Sequence, residues 1–129
     1  PINQNLTSSG GASGIGLAVV KFFASQSSKI SILDISAASA QSVVASLRTE
    51  FPSVTFLFKK CDISNWDEQK AVFDEVYNEF GGIDIVFANA GISEAGKFLE
   101  KEDGEPTKPN LKTLSVNLEG TLYCECHFW

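Results

Sequence analysis

No stretch of the 129-residue sequence stays apolar for the roughly 18 residues that a membrane-spanning helix needs. The N-terminus has no basic segment ahead of an apolar one, so no secretory leader is expected. Positive charge is scarce: ten Lys and Arg stand against sixteen Asp and Glu, a net charge of -6. Phosphate backbones and anionic bilayers would be repelled, so neither nucleic acid nor membrane is expected as a partner. Cysteine is limited to Cys61, Cys124 and Cys126, an odd and scattered set that does not suggest a disulfide framework and points to a reducing cytoplasm. The one histidine, His127, lies in "CECHF", which lacks the second spaced ligand pair of a structural zinc site, so no metal is expected. "NLT" at Asn5 to Thr7 matches a glycosylation acceptor, and without a leader it reads as a chance match. Internal repeats are absent, and nothing marks a second domain. With 43% hydrophobic residues, the chain is expected to form one globular domain over residues 1–129.

What is present alternates. Ile15, Ala18, Val19, Phe22 and Phe23 recur at helical spacing from about Gly14 to Ser25. "KISILDI" (Lys29 to Ile35) is a β-branched run and reads as a strand. Ser36 is placed to cap a second helix with Ala40, Val43, Val44 and Leu47 on one face. "VTFLFKKCD" (Val54 to Asp62) predicts a third strand. Ser64 is expected to cap a third helix lined by Val72, Phe73, Val76, Tyr77 and Phe80 and closed by Gly81 and Gly82. "IDIVFANAG" (Ile83 to Gly91) is apolar almost throughout, as in a parallel strand buried on both faces. Residues 93–110 turn polar and read as an exposed loop. A helical pattern then resumes through Leu114, Leu118, Leu122 and Tyr123. This order predicts an α/β fold: a Rossmann-like doubly wound parallel sheet in three α/β/α layers, truncated after about the fourth strand and the following helix. The weak point is "PINQNLTS", where a central first strand should be apolar and only Ile2 and Leu6 are.

"SSGGASGIGLA" opens the first helix. Its glycines fall as Gly10-x-x-x-Gly14-x-Gly16 rather than G-x-G-x-x-G. Between a strand and a helix such a loop can cradle phosphate, because the helix N-terminus offers unpaired N–H groups and glycine lets the backbone approach a pyrophosphate. A flexible turn with no ligand is the alternative. Asp34, eighteen residues after Gly16 at the end of the second strand, supports binding: an acid there accepts from adenosine ribose hydroxyls. It also repels a 2′-phosphate, by about 1 kcal/mol in water and about 4 kcal/mol at an effective dielectric near 20 for unit charges about 4 Å apart. Asp34 therefore points to NAD over NADP. The alternative is that Asp34 only caps the next helix, a task Ser36 is placed to perform.

At this point the sequence resembles the short-chain dehydrogenase/reductase family. "SGGASGIGLA", "ILDIS", "KCDIS", "ANAG" and "SVNLEGTLY" occur in that family's order and spacing, from about Ser8 to Tyr123. The wording is most similar to fungal members of the hydroxyprostaglandin dehydrogenase type. The resemblance implies that Gly10, Ser13, Gly14, Ile15 and Gly16 form the pyrophosphate loop, with Ser9 replacing the usual threonine. It implies that Asp34 and Ile35 bind the ribose, and that Asp62 and Ile63 flank the adenine. Asn89, Ala90 and Gly91 match the N-N-A-G motif, Ala88 replacing its first asparagine. Asn117 matches the asparagine that opens a helix locally and holds a water in the proton relay.

The family's serine and Tyr-x-x-x-Lys are not found after Asn117, and neither Tyr77 nor Tyr123 has a lysine four residues on. In the family that tyrosine works at the substrate oxygen and the lysine lowers its pKa. Three readings follow. The chain is the N-terminal part of an NAD-dependent oxidoreductase acting on a small-molecule alcohol or ketone, a homo-oligomer when complete. Or it is a non-catalytic NAD-binding module. Or it is a non-functional fragment, truncated or misread at both ends, with an exposed apolar edge strand and poor solubility.

Overall fold

The computed structural model describes residues 4–26, 29–94, 101–102 and 104–128. The chain begins with β1 (Asn5–Ser9), α1 (Gly14–Ser25), β2 (Lys29–Asp34), α2 (Ala37–Glu50), β3 (Phe56–Lys60), α3 (Trp66–Phe80) and β4 (Ile85–Ala88). A short pair follows, β5 (Lys101–Glu102) and β6 (Glu105–Pro106). The described part closes on a helical stretch: α4 (Lys112–Leu114), a π-helical turn (Ser115–Glu119) and α5 (Gly120–Phe128). β1 to β4 form one parallel sheet in the order β3-β2-β1-β4, and β5 pairs antiparallel with β6.

Period-two alternation sends each strand's side chains to opposite layers. Ile30 and Ile32 of β2 join Leu6, Val20, Ala24, Val44 and Leu47 on the face covered by α1 and α2. Leu33 points the other way and packs with Val72, Phe73, Val76, Phe80, Val116 and Cys124 beneath α3 and α5. This is the expected three-layer, doubly wound arrangement.

β1 forms in spite of its polarity. Leu6 pairs with Ile30 on one side and Ile85 on the other, so the strand's backbone groups are engaged in two ladders. Its buried hydroxyls also find partners: Ser31 Oγ donates to Thr7 Oγ1 at 3.0 Å, and Ser9 Oγ accepts from the N–H groups of Asn89 and Ala90 at 3.1 and 3.2 Å. The expectation that this segment is too polar for a central strand is thus corrected.

Other expectations shift. Ser64 is not the cap of α3: Asn65 is, its side chain accepting from Glu68 N–H at 3.0 Å, while Ser64 turns back to Asp62. Ser36 sits at the N-cap of α2 but makes no side-chain capping bond. Tyr77 lies outside the core at 59% exposure. In α1 the buried face is Gly16, Val20 and Ala24, and Ile15 and Phe22 are exposed. The last helix buries Val116, Gly120 and Cys124, so Leu114, Leu118 and Leu122 form an exposed stripe. β4 is only half-buried along its length and stands at the sheet edge. The polar region read as a loop contains the β5–β6 pair, and residues 95–100 and 103 of it lie outside the described residues. Gly81 does end α3, at φ 78°, its N–H donating to Tyr77 C=O. Among the described residues no helix is long and apolar enough to cross a membrane.

Candidate functional site

In an open parallel sheet, the crevice lies beyond the carboxyl ends of the strands where their order reverses. Here β1 meets β2 on one side and β4 on the other, and an open cavity of about 220 Å³ sits at that place. Each strand of the parallel sheet leads into it. Gly10 and Ser13 follow β1; Leu33, Asp34 and Ile35 end β2; Cys61, Asp62 and Ile63 follow β3; Ala90, Gly91 and Ile92 follow β4. Lys112 and Val116 close it from the last helix.

The glycine loop is built for close approach. Gly10 holds φ 63°, and a Cβ there would come 2.9 Å from Ala90 Cα. A Cβ on Gly16 would fall 2.1 Å from the Gly10 carbonyl oxygen, so α1 can begin here only on glycine. Gly14, at φ 50°, needs glycine for its backbone angle, since a Cβ would meet nothing within 4 Å. The loop is pinned by Gly10 N–H to Leu33 C=O at 2.8 Å and by Asn89 Nδ2, which donates to the Ser9 and Gly10 carbonyls at 3.3 and 3.4 Å. Ser13, the N-cap of α1, makes no side-chain capping bond and lines the cavity. The N-cap of α1 therefore lies at the cavity, at the positive dipole end of the helix that favours an anion.

Asp34 bonds on both sides of its own position. Its Oδ2 accepts from Ala12 N–H of the loop at 3.3 Å, and its Oδ1 from Ser36 N–H at 3.1 Å. It is thus more than a cap for α2, because it ties the loop to the end of β2.

Asp62 is held more firmly. Its Oδ1 accepts from Ser64 N–H at 3.0 Å and Ser64 Oγ at 2.6 Å, and its Oδ2 from Lys112 Nζ at 3.2 Å. Partial burial pushes its carboxyl up, but the Ser64 and Lys112 donors outweigh that and hold it below the usual aspartate value. Burial dominates at the neighbouring thiols. It pushes Cys61 up to about 12, helped by the charge of Glu68, and Cys124 up to about 11, partly offset by a hydrogen bond from Ser9. Both stay protonated and unreactive at neutral pH.

Of the residues expected from the sequence, Gly10, Ser13, Asp34, Ile35, Asp62, Ile63, Ala90 and Gly91 meet around this one cavity. Gly14, Ile15, Gly16, Asn89 and Asn117 are not in its lining. Gly14 and Gly16 shape the loop, Asn89 pins it, and Ile15 stands exposed at its edge. Asn117 lies in the π-helical turn and is bonded to Ile92, which does line the cavity. Sequence reading missed Leu33, Cys61, Ile92, Val116 and Lys112. The first three adjoin expected residues along the chain, and Val116 precedes Asn117. Lys112 carried no signal beyond a lysine in a helical pattern.

The sequence model for short chain dehydrogenases matches residues 7–128. The chain belongs to that family. Secoisolariciresinol dehydrogenase of Forsythia intermedia is 34% identical over 122 residues, 92% of this chain and 40% of that protein. The structure of NAD+-bound xylitol dehydrogenase superposes with a TM-score of 0.83 at 25% identity, covering 98% of this chain and 46% of that one. The NADPH-dependent 3-quinuclidinone reductase of Rhodotorula rubra superposes with a TM-score of 0.79 at 28% identity, covering 96% and 45%. The chain spans less than half the length of these proteins.

Proposed function

We propose that this member of the short-chain dehydrogenase family is the cofactor-binding portion of an NAD-dependent oxidoreductase acting on a small-molecule alcohol or ketone. The observation that carries the reading is Asp34, which lines the cavity together with Ser13, the N-cap of α1, and accepts from Ala12 N–H of the glycine loop. Gly10 and Gly16 let the loop pack tightly on Ala90 and on itself, which sets Ser13 and the start of α1 at the cavity, where a pyrophosphate would meet the helix N-terminus. In this reading Gly10, Ser13, Gly14, Ile15 and Gly16 hold the pyrophosphate, and Asp34 and Ile35 hold the adenosine ribose. Asp62 and Ile63 border the base, Ala90 and Gly91 wall the nicotinamide side, and Asn89 supports that wall by pinning the glycine loop. NAD supplies the hydride-carrying carbon when bound.

Relatives of this fold include an NAD+-bound and an NADPH-dependent protein, so the choice between cofactors falls to local charge. Asp34 disfavours a 2′-phosphate by like-charge repulsion. Asn117 is assigned to the proton relay as a residue that fixes the helix beside the site. A module that binds NAD without chemistry is the second reading. It is favoured by the position of the two tyrosines, neither of which lines the cavity: Tyr77 is exposed and Tyr123 packs edge-on against Trp66 at 5.2 Å. We also assign the exposed stripe Leu114, Leu118 and Leu122 to contact with a second copy, and the three free cysteines to a cytoplasmic setting.

Titrating the chain into NADH and NADPH and following nicotinamide fluorescence tests the reading. Saturable NADH binding, with NADPH at least about five-fold weaker, is expected. Failure to bind either nucleotide, or a preference for NADPH, overturns it.

A further inference from the structure

Two carboxylates, Asp34 and Asp62, and one cation, Lys112, line the cavity among the described residues. A dinucleotide brings negative charge of its own into that space, in a chain whose net charge is already -6. Repulsion would oppose binding unless a carboxylate were neutralised. Lys112 is placed to do so. It reaches from α4 across to the loop after β3, where its Nζ lies 3.2 Å from Asp62 Oδ2 and 2.8 Å from Ser64 Oγ. Ser64 Oγ already donates to Asp62 Oδ1, so the hydroxyl is left as an acceptor towards the ammonium. The three side chains make one closed cluster at the cavity wall.

We propose that Lys112 is a specificity-setting residue. By pairing with Asp62 it cancels one of the two cavity carboxylates, so the site can take an anionic adenine nucleotide. This rests on the reading of the cavity as a nucleotide site. It differs from the assigned roles of Asp62 and Ile63, because Lys112 acts on the ligand's charge through its partner and not on the base. The pair is partly exposed, with side chains 45% and 30% accessible, so its effect is modest and sensitive to salt.

The ratio of adenosine to ADP dissociation constants reads this charge effect, since both ligands share the base and ribose and only one is anionic. Titration calorimetry or ligand-observed NMR on the full chain at low ionic strength supplies both constants. Lys112→Met is expected to weaken ADP by about two- to five-fold and leave adenosine unchanged. The difference should fade above about 0.5 M salt and be restored by Lys112→Arg. In the double variant Asp62→Asn/Lys112→Met the ratio should return to that of the unmodified chain. Equal weakening of adenosine and ADP would assign Lys112 to packing and overturn the proposal. So would an unchanged or tighter ADP constant, or a double variant that stays as low as Lys112→Met. If the unmodified chain unfolds cooperatively yet binds neither ligand, the nucleotide reading itself falls, and this inference with it.

Discussion

The side chain of Asn117 clasps the backbone of Ile92 from both sides. Its Oδ1 accepts from Ile92 N–H and its Nδ2 donates to Ile92 C=O, each at 2.9 Å. Gly91, one residue earlier, leaves room for this, since a Cβ there would come 3.2 Å from Asn117 Oδ1. The π-helical turn over Ser115–Glu119 is thereby fixed to the segment that leaves β4. Asn117→Ala removes both bonds in an exposed setting and should lower stability by about 1 kcal/mol. Asn117→Asp keeps the acceptor, loses the donor and sets a charge against the Ile92 carbonyl, so it should be at least as harmful. Urea midpoints for the two variants check this, and an Asp variant as stable as the unmodified chain would refute it.

Gly14 and Gly16 separate two reasons for glycine. Gly16→Ala would drive a Cβ to 2.1 Å from the Gly10 carbonyl, so the loop or α1 must move. Loss of NADH binding, with destabilisation of about 1–3 kcal/mol, is expected. Gly14→Ala meets nothing within 4 Å and bears only the strain of φ 50°, about 1–2 kcal/mol. Its cradle should survive, so NADH affinity should change far less than in Gly16→Ala. Equal loss of affinity in both would mean that loop conformation, not crowding, controls the site.

Asp34 has a structural task as well as the proposed ribose role, because it accepts from Ala12 and Ser36 N–H. Asp34→Asn removes the charge and keeps one acceptor oxygen, so one of those two bonds is lost and a modest destabilisation accompanies the change. The expected outcome is a preference for NADH over NADPH reduced by at least about five-fold, mainly through tighter NADPH. Fluorescence titration of both cofactors decides. If the preference stays as it was, charge at Asp34 is not its source.

Periodicity and glycine placement carried most of the fold. Helix α1 falls at Gly14–Ser25 because a glycine loop opens it and a helical apolar repeat fills it. The left-handed cap at Gly81 was readable because only glycine takes φ 78° cheaply. Periodicity cannot say which of two faces is buried, and this is where the reading failed. Tyr77 shares a stripe with Val76 and Phe80 in sequence but sits on the flank of α3. The last helix buries small residues, Gly120 and Cys124, because Ile63 presses within 3 Å of where a Gly120 Cβ would be. The large leucines face outward as a result. β1 looked too polar because its stability rests on hydroxyl pairs across strands, such as Thr7 with Ser31, that no single segment reveals. The cavity residues that share a family motif were legible. Lys112 was not, since its partner Asp62 is fifty residues away in sequence.

His127 gives the fold a dependence on pH. Its ring packs against Trp66 at 4.2 Å and Phe73 at 5.5 Å between centroids, fastening α5 to α3. Among the described residues its buried Nε2 has no hydrogen-bond partner. Burial pushes the imidazole below its usual value; nearby Lys70 pushes the same way, and Asp74 and a hydrogen bond with the Trp66 backbone oppose. The folded chain therefore takes up this proton less readily than the unfolded chain, whose histidine titrates near about 6.5. Stability should be full above that value and fall as the pH drops through it. The urea midpoint should be lower at pH 5.5 than at pH 7.5, and His127→Phe, which keeps the stacking, should flatten that slope. An unaltered slope in the variant would place the titration elsewhere.

Ser8 and Ser9 are adjacent, both fully buried in β1, and face opposite layers. Their hydroxyls differ in satisfaction. Ser9 Oγ accepts two backbone N–H groups at the end of β4, from Asn89 and Ala90. Ser8 Oγ has no partner among the described residues and lies under Gly11, where a Cβ would approach it to 3.2 Å. A buried hydroxyl without a partner costs about 1–3 kcal/mol, whereas a satisfied one adds about 0.5–1.5 kcal/mol. Ser8→Ala removes the orphan oxygen without adding volume and should stabilise the chain by about 1 kcal/mol. Ser9→Ala strands two N–H groups and should destabilise it by about 1–3 kcal/mol, while loosening the Asn89 segment that pins the glycine loop. The two variants should therefore move the denaturation midpoint in opposite directions, and only Ser9→Ala should weaken NADH binding. A destabilised Ser8→Ala would show that its hydroxyl finds a partner, such as a buried water, and that β1 depends on every hydroxyl it carries.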